Sequence, residues 1–213
     1  MKKTKLLIVS GSQRLPSASK QLSDYLCQNK LSSLQDVEYK QLDLASFPSL
    51  LNHYGSSSEH NAEMHKNKDD VLSLLYWCDS VIIIAPEWGG MIPPALVNLF
   101  LLTANGSANG LPLGHKPGFA IGISASGGGA NPISLLKAYA AKNSHLSWLS
   151  LHAVVNNVDE FTKTEWSPHH SARINQVQSR INVGIDSLII YAEQIKPVRS
   201  KLVELTQIHP FGQ

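Results

Sequence analysis

The chain has 213 residues, 43 % apolar and only 16 % charged, with a formal net charge of +2 and a pI of about 8.5. That length suits one α/β domain with a sizeable core, and scattered Lys and Arg leave no electrostatic footprint for nucleic acid. No apolar run approaches the roughly 18 residues that span a bilayer, and the apolar segment after the basic start is too short for a signal peptide.

The expected setting is therefore the cytoplasm. A surface this lightly charged is expected to be partly covered by a second subunit. Cys27 and Cys78 do not make a disulfide framework, and both read as buried free thiols.

In chain order, Leu6-Leu7-Ile8-Val9 predicts a buried strand over 5–10. It runs into Gly11-Ser12-Gln13-Arg14-Leu15-Pro16-Ser17-Ala18-Ser19, a loop of Gly, Ser, Arg and Pro. A helix follows over 19–31, with Leu22, Tyr25, Leu26 and Cys27 on its apolar face. The alternating stretch over 37–44 predicts a partly exposed edge strand. Residues 45–60 form a polar segment, long for a connection, that reads either as a functional loop or as a plain surface loop.

A second helical pattern covers 61–77. The continuously apolar Ser80-Val81-Ile82-Ile83-Ile84-Ala85 is how a strand buried on both faces reads, and belongs in the middle of a parallel sheet. It ends in Pro86-Glu87-Trp88-Gly89-Gly90, and Pro93-Pro94 then begins a helix that is apolar nearly all round to Leu102. A fourth strand over 117–124 runs into Ser126-Gly127-Gly128-Gly129. Then come a helix over 132–142, a fifth strand over 149–155 and a C-terminal helix over 171–194. The organisation predicted is one domain over 1–196, with 197–213 a tail or an arm onto a neighbour.

Alternating strands and helices argue a doubly wound parallel sheet with helices on both faces. Ligands bind such sheets beyond the strands' carboxyl ends, where the winding reverses. With five strands in the order 2-1-3-4-5, the loops after strands one, three and four lie side by side at that point. The first offers Arg14, the hydroxyls of Ser12, Ser17 and Ser19, and a helix N-terminus, all suited to an anion. The second offers an aromatic ring and backbone amides. The third offers glycines that let a ligand approach the backbone. Together they suit a phosphate joined to a flat polar ring, which points to flavin mononucleotide (FMN). A P-loop is absent, and the triple glycine lacks the dinucleotide fingerprint.

These motifs resemble those of the NADPH-dependent FMN reductase family, flavodoxin-like proteins that include quinone, azo-dye and chromate reductases. The family's Gly-Ser-x-Arg-x-x-Ser-x-Ser/Asn is matched by Gly11, Ser12, Arg14, Ser17 and Ser19. Its Pro-Glu-Tyr-Asn-x-x-x-Pro-x-x-Leu-Lys-Asn is matched by Pro86, Glu87, Pro93, Leu96 and Asn98, with Trp88 in place of Tyr, Gly89 in place of Asn and Val97 in place of Lys. A Ser-x-Gly-Gly-like loop, preceded by Lys116-Pro117, is matched by Ser126 to Gly129.

The resemblance implies a flavodoxin-like fold and an FMN-dependent NAD(P)H oxidoreductase, with NADPH or NADH as co-substrate and a quinone or similar small molecule as acceptor. It implies a cofactor site of Ser12, Arg14, Ser17, Ser19, Pro86, Glu87, Trp88, Gly89, Ser126, Gly127 and Gly128. It names no catalytic side chain and no metal ligand; Glu87 is expected to hold the loop. A homodimer or homotetramer is implied, with the apolar 95–102 helix as its surface. Two other functions share the fold: an electron-carrier flavodoxin, and a non-catalytic flavin-binding module. Carriers tend to be acidic and lack the loop arginine, so the +2 charge and Arg14 speak against the first.

Overall fold

The structure, a computed structural model, describes residues 3–49, 62–104, 110–167, 169 and 171–209. The segment expected as a loop over 45–60 lies mostly outside them.

The central strands are β1 (Thr4–Ser10), β3 (Ser80–Pro86) and β4 (Pro117–Ile123), with β2 (Val37–Asp43) on one edge. All pair in parallel in the order β2-β1-β3-β4-β5, where β5 is Ser147–Trp148. The order is the one expected, and the fold is flavodoxin-like. Every residue of β3 and β4 is buried, because helices cover both faces. Alternate residues of one strand therefore serve two cores. Leu7, Val9, Val81 and Ile83 pack with α2 (Ala62–Trp77) and α3 (Pro94–Leu102). Leu6, Ile8, Ile82 and Ile84 pack with α1 (Ala18–Asn29) and the long α7 (Ala172–Ile195).

The single fifth strand expected over 149–155 is two short pieces. β5 (Ser147–Trp148) pairs with the start of β4, and β6 (Ala153–Val155) pairs with its end. Between them the backbone leaves the ladder, and Lys137 Nζ donates to the Ser150 carbonyl at 2.7 Å. The helix expected over 132–142 is longer and has a π turn inside it. It runs as α4 (Ala130–Leu135), a π segment (Leu136–Ala140) and α5 (Ala141–Ser144). A short α6 (Val158–Phe161) follows β6.

Residues after Pro197 include a helix, α8 (Arg199–Thr206), that docks on this chain's own 111–115 turn. Arg199 Nε donates to the Gly114 carbonyl at 2.9 Å, and the His115 ring lies 2.6 Å from the Thr206 hydroxyl. Among the described residues no helix is long and apolar enough to cross a membrane, and no group of three or more His, Cys, Asp or Glu could hold a metal.

One cation is wholly internal. Lys116, just before β4, is 1 % exposed and donates to the Leu75 and Tyr76 carbonyls at the end of α2, at 2.5 and 3.1 Å. It thereby satisfies carbonyls that the helix itself cannot. Burial pulls its ammonium down to about 8, with the neighbouring Cys78 acting in the opposite sense. Cys27 and Cys78 are both buried free thiols, as expected.

Candidate functional site

Strand register sets the site. Ser10 is level with Ile84, Pro86 with Ile123, and Ile123 with Val155, so the loops that follow these strands begin close together at the sheet's carboxyl end.

The first loop is built by its own hydroxyls. Gly11 N–H donates to the Ile84 carbonyl at 2.9 Å, and a Cβ at Gly11 would stand 2.7 Å from that oxygen, so only glycine fits. Ser12, Ser17 and Ser19 are all buried. Ser12 Oγ accepts from Arg14 N–H at 3.1 Å, and Ser19 Oγ accepts from Ser12 N–H at 3.3 Å. Ser17 caps α1 by accepting from Lys20 N–H at 3.2 Å. The amides of Ala18 and Ser19 lie in the first turn, where no intrahelical acceptor exists.

The Arg14 side chain turns toward the second loop. Its guanidinium lies 4.1 Å from the centre of the Trp88 ring, with no ion-pair partner among the described residues. A cation over an aromatic face at an open site contributes about 0.5–1 kcal/mol, well below a charge-assisted hydrogen bond to an anion. Arg14 is therefore held but not committed.

Trp88 stands at the start of a tight turn. Its N–H donates to the Met91 carbonyl at 2.9 Å, and Met91 N–H donates back at 3.0 Å. The two residues between, Gly89 and Gly90, have φ of +57° and +82°. Two consecutive left-handed positions are what a type I′ turn demands. Glycine at 89 meets that demand, and so does the Asn that the resembling motif carries there, because Asn tolerates this region.

Glu87 is occupied. Its carboxylate accepts from Gly129 N–H at 2.5 Å and from Asn131 Nδ2 at 3.3 Å, tying the second loop to the third. The third loop is braced from its other side by Asn156 Nδ2, which donates to the Gly127 carbonyl at 2.8 Å and also to that of Gly128.

Ser12, Arg14 and Ser17 meet Pro86, Glu87 and Trp88 around one cavity of about 170 Å³. Ser19, Gly89, Ser126, Gly127 and Gly128 are outside its lining. Ser19 instead braces Ser12, and Ser126 to Gly128 sit one step beyond the rim. The cavity's remaining wall is Pro16 and Ala18 from the first loop, then Ile123, Ser124 and Ala125, with Val158 from α6. Sequence reasoning missed these. Ser124 and Ala125 directly follow the fourth strand and could have been found by position, whereas nothing in the sequence singled out Val158. Chemically, the cavity offers hydroxyls and amides, with the Arg14 guanidinium stacked on the Trp88 ring beside them.

Residues 4–159 match the NADPH-dependent FMN reductase family. No match was found among the curated proteins. Solved structures are similar in fold. An oxidoreductase from Corynebacterium diphtheriae is 10 % identical, with a TM-score of 0.64 over 91 % of this chain and 99 % of that one. The apo form of the NADH:FMN oxidoreductase EmoB is 13 % identical, with a TM-score of 0.65 over 88 % of this chain and 89 % of that one. The flavoenzyme NAD(P)H:(acceptor) oxidoreductase FerB from Paracoccus denitrificans is 20 % identical, with a TM-score of 0.56 over 90 % of this chain and 98 % of that one.

Proposed function

The chain belongs to the NADPH-dependent FMN reductase family, and on that premise we propose that it passes electrons from NADPH or NADH, by way of FMN, to a quinone or similar small acceptor. The observation that carries the reading is Arg14, a guanidinium without an ion pair among the described residues, beside buried serines and the open first turn of α1.

The residues fit the cofactor. Ser12, Arg14, Ser17 and the amides of Ala18 and Ser19 would hold the phosphate. Trp88, Ser124 and Ala125 would lie along the ring. Bound there, FMN supplies the hydride and electron chemistry that the side chains lining the cavity lack. The chain's own part is positioning. Ser12 fixes the Arg14 backbone, Ser17 orients the helix end, and Glu87 and Asn156 keep the glycine loop from collapsing onto the cavity. At about 170 Å³ the cavity is smaller than the roughly 300–1,000 Å³ of pockets that enclose a whole ligand. A mononucleotide would keep its ring at the rim, open to a nicotinamide or an acceptor in turn.

We propose a cytoplasmic protein that assembles as a homodimer or homotetramer. An apolar hollow of about 280 Å³ between α3 and the π segment supports the assembly, because Met91, Val97 and Tyr139 stand exposed around it. Light scattering on the purified protein would read two or more copies; a monomer would refute the assembly.

The absorbance spectrum of the purified protein after addition of FMN, followed by NADPH oxidation with a quinone present, tests the function. Bound flavin and quinone-dependent turnover are expected. A protein that leaves FMN fluorescence unquenched overturns the reading, and one that binds FMN without oxidising NADPH or NADH is the non-catalytic flavin-binding protein instead.

A further inference from the structure

Beyond the third loop the sheet has an open edge. β6 is its last strand there, and α7 runs alongside. Two hollows, of about 150 and 330 Å³, follow that edge and share Val177. Arg173 lines the first, and Arg180 and His152 line the second. Lys137 lies outside both linings but reaches the second at its edge, where its Nζ is 3.4 Å from His152 Nδ1. Seven residues of helix put Arg173 and Arg180 about 10 Å apart.

None of Lys137, Arg173 and Arg180 has an ion-pair partner among the described residues, in a chain with few charges. Instead their donors rest on neutral oxygens: Lys137 on the Ser150 carbonyl at 2.7 Å, Arg180 on that of His152 at 3.4 Å, and Arg173 on Asn156 Oδ1 at 3.1 Å. Burial, and then the positive field of Lys137 and Arg180, push the His152 imidazole down. The place is crowded with positive charge and short of anions; Glu160, at the far end by Arg173, is the carboxylate in the lining.

The floor between the cations is apolar, made by Val154, Val177 and Ile174. Spaced cations over an apolar strip suit a phosphorylated nucleoside, with phosphate on the cations and the base on the strip. The groove also connects to the candidate site through one residue. Asn156 receives Arg173 on its oxygen and holds the glycine loop with its nitrogen.

We propose that this edge groove binds the adenosine end of the dinucleotide co-substrate and reads its ribose 2′-phosphate through Lys137 and Arg180. The proposal rests on the reductase reading for its choice of ligand, and it makes the chain favour NADPH over NADH.

The test uses adenosine 2′,5′-bisphosphate, which has no nicotinamide and needs no turnover. Calorimetric titration of the FMN-loaded protein is expected to show saturable binding, tighter than that of 5′-AMP. The K137A/R180A double variant should weaken it at least about tenfold, and should raise the KM for NADPH far more than that for NADH. Failure of the bisphosphate to bind, equal affinity in the two proteins, or equal loss with NADPH and NADH would each overturn the groove. FMN quenching on the same samples separates the two readings. Protein that quenches FMN but ignores the bisphosphate keeps the flavin site and loses the groove. If FMN does not bind, the titration is run on the bare protein, and bisphosphate binding lost in K137A/R180A still supports the groove while the reductase reading falls.

Discussion

Two cations sit at opposite ends of the sheet and meet opposite fates. At the amino end of β4, Lys116 is 1 % exposed and its ammonium rests on two helix carbonyls and, at 3.8 Å, the Cys78 sulfur. At the carboxyl end of β1, Arg14 rests on an aromatic face and pairs with no carboxylate among the described residues. The first charge is consumed by the fold. The second is left over, among serines already oriented by one another. A fold can bury a cation only by satisfying it, whereas Arg14 stays exposed beside buried serines, where an outside anion can reach it.

The widest effect that could break this contrast is at Lys116. Lys116→Ala leaves two buried carbonyls unpartnered and a hole beside them, and should cost roughly 2–4 kcal/mol of stability in a urea titration. If stability stays unchanged, Lys116 is not consumed by the fold. Its pH dependence sharpens the point. Below about pH 8 the ammonium is charged in folded and unfolded chains alike, and its burial cost is carried in full. Between about pH 8 and the ordinary value of 10.5 the folded chain releases the proton first, so the contribution of Lys116 to stability grows with pH. The difference between the wild type and Lys116→Ala should therefore widen across that window.

Next is Arg14→Ala, expected to weaken FMN binding by roughly 1.5–3 kcal/mol with little change in stability, read by flavin fluorescence quenching. An unchanged FMN dissociation constant would put the phosphate elsewhere. Ser12→Ala should cost about 0.5–1.5 kcal/mol of the same affinity, because the Arg14 amide loses its acceptor. Smallest is Trp88→Ala, at about 0.5–1 kcal/mol if the ring serves to hold the guanidinium. A loss larger than that of Arg14→Ala would make Trp88, and not Arg14, the anchor.

Much of the fold was legible in the sequence. The unbroken apolar run in β3 marked a strand covered on both faces, and the alternation in β2 marked an edge. The break between β5 and β6 was not legible. Within the break the Ser150 carbonyl accepts from Lys137, a contact between residues 13 positions apart that no local pattern marks. The helix after Pro197 was missed because it buries no residue of its own and is held by Arg199 and Thr206 on a distant turn.

The candidate site divides the same way. Ser12, Arg14, Ser17, Pro86, Glu87 and Trp88 were named from local motifs and line one cavity. The triple glycine drew attention to Ser126–Gly128, while the cavity wall is formed two residues earlier, at Ser124 and Ala125.

By itself, then, the sequence determined the order of strands, the loop that could receive an anion, and the glycine loop at Gly89 and Gly90. These depend on side-chain type, periodicity and backbone freedom within a few residues. Only the tertiary structure decided which donors remained available: that Ser19 is used inside the loop, that Glu87 is tied to the glycine loop, that Lys116 is sealed in and Arg14 is not. The partner of a polar group is a matter of distance in space, and these partners come from strands and helices far apart in the chain.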